Sequence, residues 1–137
     1  VKELKQCKLG FRAERIKQTA KLIYEDTFDL EALRKMSYEN AKEALLTLPG
    51  VGPKVADCVL LFSLDKLEAF PIDVWMKRII LENYSNHFEQ SFAEKVAVKK
   101  SITPREYRII NSFGREYFGE FVGYAQEYLY HFKRCSP

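Results

Sequence analysis

The residues best placed for chemistry in this chain are a lysine and an aspartate. Lys54 ends the stretch Leu48-Pro49-Gly50-Val51-Gly52-Pro53-Lys54, and Asp73 follows it by nineteen residues. A lysine amine that has lost its proton attacks a carbon with a leaving group, or condenses with an aldehyde to form an imine. A carboxylate beside it accepts a proton or stabilises positive charge, such as an oxocarbenium ion at a sugar carbon.

The stretch before Lys54 has the composition of a tight turn between two helices. Gly50 and Gly52 supply positions with positive φ or with bare backbone, and Pro53 suits the first position of the second helix. The N–H groups at the start of that helix point outward with the positive end of the helix dipole, which favours an anion such as phosphate. A phosphate grip, an amine and a carboxylate together suit attack on deoxyribose C1′ in a DNA backbone.

Asp73 and three other residues of interest, Cys58, Phe11 and Arg12, also have ordinary structural interpretations. Asp73 could simply cap a helix, because aspartate is among the best N-caps. Cys58 could be a small core residue, which is the usual place of a free cysteine. Phe11 and Arg12 could be a packing aromatic and a solvated arginine, or a nucleic-acid contact beside a turn.

The elements that must position these residues are predicted to be helices, since no segment shows sustained period-2 alternation. The apolar stretch 53–64 is predicted as a buried central helix, and Asp73 begins the next one. Thr103-Pro104-Arg105-Glu106 is a strong helix start, and a last helix covers about 121–133. Residues 84–102 are predicted to be a connection with a short, basic, exposed helix. The predicted fold class is all-α, a helical bundle containing a helix-hairpin-helix motif.

The length and composition of the chain limit the number of domains, the kinds of metal site and the cellular location that we expect. A chain of 137 residues suits one domain, 1–137, and a net charge of +3 permits a basic patch without arguing for nucleic acid. Three cysteines without short spacing favour neither disulfides nor a zinc or iron–sulfur site. No membrane span or signal peptide is visible, so an intracellular protein is expected, in cytoplasm or nucleoid if prokaryotic and in the nucleus if eukaryotic. The start at Val1 suggests a fragment of a longer chain.

The segment 48–58, followed by Pro71-Ile72-Asp73-Val74, resembles the helix-hairpin-helix–Gly/Pro–Asp superfamily of base-excision DNA glycosylases. Within it, Lys-Val-Ala-Asp-Cys at 54–58 and Gly-Glu-Phe-Val-Gly-Tyr-Ala-Gln at 119–126 are similar to 8-oxoguanine DNA glycosylases. Leu-Gly-Phe-Arg-Ala at 9–13 is similar to the Gly-Tyr-Arg-Ala segment of that family. The resemblance therefore runs over nearly the whole chain.

The resemblance implies a bifunctional DNA glycosylase and AP lyase that removes 8-oxoguanine in base-excision repair. Lys54 would displace the damaged base and hold the sugar as a Schiff base, and Asp73 would stabilise the developing sugar cation. Cys58 and Tyr130 would sandwich the flipped base. Gln126 would hydrogen-bond its Watson–Crick edge.

The resemblance also implies that the partner is duplex DNA with an oxidised purine. The protein is expected to be a monomer that requires no cofactor, no metal and no iron–sulfur cluster. Hairpin carbonyls in this superfamily often hold a monovalent cation, so K⁺ or Na⁺ is possible there. Phe11 and Arg12 would lie at the opened base stack, and turn amides would grip phosphate. The implied DNA-binding residues are Phe11, Arg12, Gly50, Val51, Gly52 and Trp75.

The sequence departs from the family pattern at several places. Trp75 stands where eukaryotic members carry histidine, and Tyr130 stands where phenylalanine is frequent. The family's N-terminal β-domain and the helix with its asparagine wedge have no match here, so only part of the lesion-reading pocket is expected. Two alternatives remain open: a glycosylase for alkylated purines and a non-catalytic helix-hairpin-helix module that binds duplex DNA.

Overall fold

The computed structural model describes residues 2–135, and within that range every regular element is a helix. The predicted all-α class is therefore confirmed. The chain divides into two compact units, Val1–Gly52 and Pro53–Pro137. The prediction that residues 1–137 form one helical domain stays a prediction. No helix within the described residues is both long and apolar enough to cross a membrane.

The first unit contains short helices with caps that the sequence predicts. Asp29 accepts hydrogen bonds from the backbone amides of Glu31 and Ala32, and Ser37 accepts one from the amide of Asn40. These bonds satisfy amides that have no partner inside the helix. The helices of this unit are α1 (Lys2–Gln6), α2 (Arg12–Tyr24), α3 (Leu30–Lys35) and α4 (Tyr38–Leu46).

The turn after α4 depends on one glycine for both its conformation and its packing. Gly50 has φ +83°, in the left-handed region that favours glycine. A Cβ at this position would lie 2.6 Å from Cδ of Arg15. The hydroxyl of Thr19 also donates to the carbonyl of Pro49 at 3.2 Å, which fixes the start of the turn against α2.

The second unit carries the longer helices, and their ends follow local sequence signals. Asp73 caps α6, while Thr103 and Glu106 form the predicted capping box of α8. Gly119 ends α8 with φ +56°. The helices are α5 (Pro53–Leu64), α6 (Val74–Asn83), α7 (Gln90–Ala97), α8 (Pro104–Phe118) and α9 (Val122–Cys135), with 3-10 turns at Ser85–His87 and Gly119–Phe121.

The core of the second unit lies between α6, α7, α8 and α9. Phe70 is fully buried there, and its ring lies so close to α8 that a Cβ on Gly114 would approach it to 2.1 Å. Other buried members of the core are Ile72, Met76, Ile79, Ile80, Val96, Tyr107, Ile110 and Val122. The segment just before Asp73 is thus anchored in the core.

One prediction about burial was wrong. Helix α5 is not buried all round, because Lys54, Val55 and Phe62 are exposed on one face. The tract 84–102 contains the predicted short helix, α7, and most of its residues are exposed, although α7 packs against α6 and buries Val96. Local composition did not say which face of α5 or of α7 meets a neighbouring helix.

Helix α7 is held at its C-terminal end by a buried lysine of α6. Lys77 is 0% exposed, and its ammonium donates to the carbonyl of Val96 at 3.0 Å and to the carbonyl of Lys99. Carbonyls at a helix C-terminus carry partial negative charge, which an ammonium group neutralises. Burial lowers the pKa of Lys77, because it disfavours the charged form.

The capping box of α8 makes the stability of the protein sensitive to acid. Hydrogen bonds from the Lys99 ammonium and the Thr103 amide lower the pKa of Glu106 to about 2 from 4.5. The contribution of the ionised Glu106 carboxylate to the free energy of unfolding is therefore complete above pH 4.5 and is lost as the pH falls towards 2.

We expect Glu106→Gln to lower the free energy of unfolding at pH 7 by about 1–2 kcal/mol. Urea denaturation at pH 7, 4 and 3 should then show a smaller acid-dependent loss in the variant than in wild type. Equal losses in both proteins would contradict this assignment.

Candidate active site

Five residues predicted from the sequence line one cavity in the second unit. The cavity has a volume of about 280 Å³, near the roughly 300 Å³ at which ligand pockets usually begin. It suits a group the size of a nucleobase rather than a larger cofactor. The predicted residues that line it are Lys54, Cys58, Asp73, Gln126 and Tyr130.

Helix α5 presents two of these residues to the cavity from its first turns. Lys54 is the second residue of the helix and is exposed, and Cys58 lies four residues later on the same side. Phe62 continues this line by another turn and also borders the cavity, although the sequence analysis did not select it. The spacing of four residues from Lys54 to Cys58 to Phe62 was the signal that could have identified it.

Asp73 is half-buried at the start of α6, where it caps the helix and borders the cavity. One carboxylate oxygen accepts a hydrogen bond of 2.7 Å from the backbone amide of Met76. This bond fixes the side chain, while the other oxygen makes no hydrogen bond within residues 2–135. Asp73 therefore caps α6 and borders the cavity at the same time, and its catalytic role stays a prediction.

Gln126 and Tyr130 face the cavity from adjacent turns of α9. The side chain of Gln126 is 7% exposed, and its Oε1 atom is buried without a hydrogen-bond partner among the described residues. An unsatisfied buried acceptor costs about 1–3 kcal/mol, so this atom calls for a donor from outside the chain, either a water molecule or a ligand. A donor on a molecule inside the cavity would satisfy this atom.

A second cavity of about 600 Å³ adjoins the first, because Tyr130 lines both. Trp75 lies in this second cavity and not in the one that contains Lys54. Its ring is half-exposed, with the Arg78 guanidinium 5.3 Å from the ring centre. Lys133 and Arg134 complete the lining. The surface beside the candidate active site is thus aromatic and basic.

The remaining predicted DNA-binding residues lie in the first unit. Phe11 is 79% exposed, with the Arg15 guanidinium 5.6 Å from its ring, and Arg12 is exposed at the start of α2. The Val51 amide donates to the Leu48 carbonyl at 3.1 Å, so the turn itself satisfies that donor.

The two glycines of the turn differ, because Gly50 has a positive φ and Gly52 does not. A Cβ on Gly52 would meet nothing within 4 Å in the part of the chain that the structure describes. Neither strain nor internal packing therefore requires glycine at this position, whereas a close ligand would.

Comparison with known proteins finds N-glycosylase/DNA lyases among the relatives, although no protein-family model matches the chain. A probable N-glycosylase/DNA lyase of Methanothermobacter thermautotrophicus is 38% identical over 136 residues, which cover 98% of this chain and 38% of the relative. N-glycosylase/DNA lyase OGG1 of Arabidopsis thaliana is 37% identical over 135 residues, covering 93% of this chain and 34% of the relative. The chain thus spans well under half the length of these relatives.

Solved structures agree with this likeness. The 8-oxoguanine glycosylase/lyase of Clostridium acetobutylicum, bound to double-stranded DNA with cytosine opposite 8-oxoG, superposes with a TM-score of 0.77 at 35% identity. The match covers 95% of this chain and 39% of that one. The class of protein that the chain resembles is therefore the N-glycosylase/DNA lyases. Within that class the resemblance is to 8-oxoguanine glycosylase/lyases, and the resemblance predicted from the sequence is confirmed.

Proposed function

We propose that this chain is the catalytic helical part of a bifunctional DNA glycosylase/AP lyase that removes 8-oxoguanine from duplex DNA. The observation that carries the proposal is the meeting of three groups in one cavity. An amine from Lys54, a carboxylate from Asp73 and a buried amide of Gln126 with an unsatisfied oxygen all border the same space.

The reaction would begin with the damaged nucleotide rotated out of the duplex, at a cost of a few kcal/mol. Cys58 and Tyr130 both line the cavity, and contacts of the sulfur and the ring with the two faces of the base would offset part of this cost. The amide of Gln126 would hydrogen-bond the base edge.

The Lys54 amine would then attack C1′ while the bond from C1′ to the base nitrogen breaks and its electron pair leaves with the base. The Asp73 carboxylate would stabilise the positive charge that develops on the sugar. Opening of the sugar converts the lysine adduct into a Schiff base. Loss of a proton from C2′ then expels the 3′ phosphate by β-elimination.

The substrate can be tested by base release from two duplexes, using the protein that carries this chain. One duplex contains 8-oxoguanine opposite cytosine, and the other contains 3-methyladenine. Release of 8-oxoguanine alone is the expected result. Release of 3-methyladenine alone would transfer the proposal to alkylated purines, and binding without release of either base would favour a non-catalytic DNA-binding module.

DNA is the partner in this proposal, which supports an intracellular location where the genome lies. The proposal includes no cofactor for the chemistry. The monomeric state and the monovalent cation at the hairpin carbonyls stay predictions. Measurement of DNA affinity in K⁺, Na⁺ and a large organic cation tests the cation directly.

Gly52→Ala should separate DNA binding from folding. The added methyl group meets no described atom within 4 Å, so the free energy of unfolding should change by less than about 0.5 kcal/mol. The methyl group would nevertheless hold a phosphate away from the turn amides, and duplex affinity should fall about 5- to 10-fold. Gly50→Ala is the contrasting variant, since its φ of +83° and its contact with Arg15 predict lost stability. Denaturation and fluorescence anisotropy measure both effects, and wild-type affinity in Gly52→Ala would remove Gly52 from the interface.

A further inference from the structure

A buried polar cluster connects three parts of the second unit. These are helix α5, the segment that precedes α6, and helix α8. We call Asp57, Tyr107 and Asn111 the Asp57 network; all three residues are buried, and Asp57 is completely so. The Tyr107 hydroxyl donates to the Asp57 carboxylate at 2.5 Å, and the Asn111 amide donates to the same oxygen at 3.1 Å. Asn111 also donates to the carbonyl of Phe70 at 2.8 Å.

The Tyr107 hydroxyl also bonds the backbone of Ile72 and Pro53, which directly precede the candidate catalytic residues in the sequence. It accepts a hydrogen bond of 3.4 Å from the amide of Ile72, the residue before Asp73. The carbonyl of Pro53, the residue before Lys54, lies 3.4 Å away as an alternative acceptor for the hydroxyl proton. One oxygen atom on α8 thus touches the backbone beside Lys54 and the backbone beside Asp73.

The core packing around Phe70 and Ile72 is apolar, and apolar contacts do not prescribe a particular distance as hydrogen bonds do. Nucleophilic attack needs reacting groups held to a fraction of an ångström, and a shift of about 1 Å can cost 100-fold in rate. The hydrogen bonds of the Asp57 network set definite donor–acceptor distances, so this network is well suited to fix the separation of the two groups.

We propose that Tyr107 is a positioning residue, whose hydroxyl, held by Asp57, sets the separation between Lys54 and Asp73. The inference rests on the proposed function, because it takes these two residues as the reacting pair. A purely structural hydroxyl would change stability alone, whereas a positioning hydroxyl changes the rate of base excision in protein that is fully folded and bound to DNA.

Tyr107→Phe tests the proposal, because it removes the hydroxyl and keeps the ring. In the protein that carries this chain, we expect single-turnover release of 8-oxoguanine to fall about 10- to 100-fold. Affinity for the same duplex should stay within about twofold, since Tyr107 is a buried residue. Circular dichroism and denaturation establish the folded fraction before the rates are compared.

One variant serves as the matched control. Tyr84→Phe removes a hydroxyl from a partly buried tyrosine of the same unit, in the aromatic cluster with Tyr117 and Phe118, and should leave the excision rate unchanged.

Wild-type excision by folded Tyr107→Phe would overturn the proposal. Failure of Tyr107→Phe to fold would also overturn it, because the hydroxyl would then serve the fold itself. A different result would contradict the proposed function itself, namely wild-type protein that releases no 8-oxoguanine and forms no covalent adduct with lesion DNA.

Discussion

Lys54→Gln should form no covalent adduct when borohydride is added to the protein on 8-oxoguanine duplex. Borohydride reduces the imine between a lysine and the opened sugar to a stable amine, so the adduct reports the nucleophile itself. Glutamine keeps a polar side chain of similar length at this exposed position but has no amine. The expected loss is complete within detection, and release of the base should fall by at least about 1000-fold.

Lys95→Gln is the matched control, because Lys95 is also an exposed lysine, on α7, and does not line the cavity. Its adduct yield should equal that of wild type. Trapping of Lys54→Gln at the wild-type level would assign the nucleophile to another amine.

Asp73→Asn should lower base release about 100- to 1000-fold and leave the fold nearly unchanged. Asparagine caps helices about as well as aspartate, so the bond from the Met76 amide can persist and the free energy of unfolding should change by less than about 1 kcal/mol. The variant loses the negative charge that would stabilise the sugar cation. Removal of one preorganised electrostatic group of this kind typically lowers the rate about 100- to 1000-fold. Single-turnover release and thermal denaturation measure the two effects.

Asp29→Asn provides the control for this variant. Asp29 caps α3 in the same way but does not border the cavity, so its replacement should not affect the rate. Wild-type activity in Asp73→Asn would favour a module that only binds DNA.

Local signals account for what the sequence predicted well. The capping residues Asp29, Ser37, Asp73 and Thr103 all begin helices, because each side chain bonds to amides within three residues. Lys54 and Cys58 share a cavity because helical spacing places them on one side of α5. Gln126 and Tyr130 were assigned through the resemblance, and the structure places them against the same cavity.

Tertiary partners account for what the sequence did not predict. Lys77 looks like a solvated lysine beside Arg78, and only the carbonyls at the end of α7 explain its burial. Asp57 lies in an apolar helix, which could have marked it as unusual. The donors Tyr107 and Asn111 lie at least 50 positions later, so no local pattern could have identified them.

The most direct test is a crystal structure of the borohydride-trapped complex of the protein with 8-oxoguanine duplex. The expected structure has the lesion nucleotide outside the helix, with its C1′ bonded to Nζ of Lys54. The Asp73 carboxylate should face that carbon from within about 4 Å, a distance at which it stabilises positive charge. A sugar bonded to a different amine, or an Asp73 carboxylate turned away from C1′, would contradict the proposed reaction.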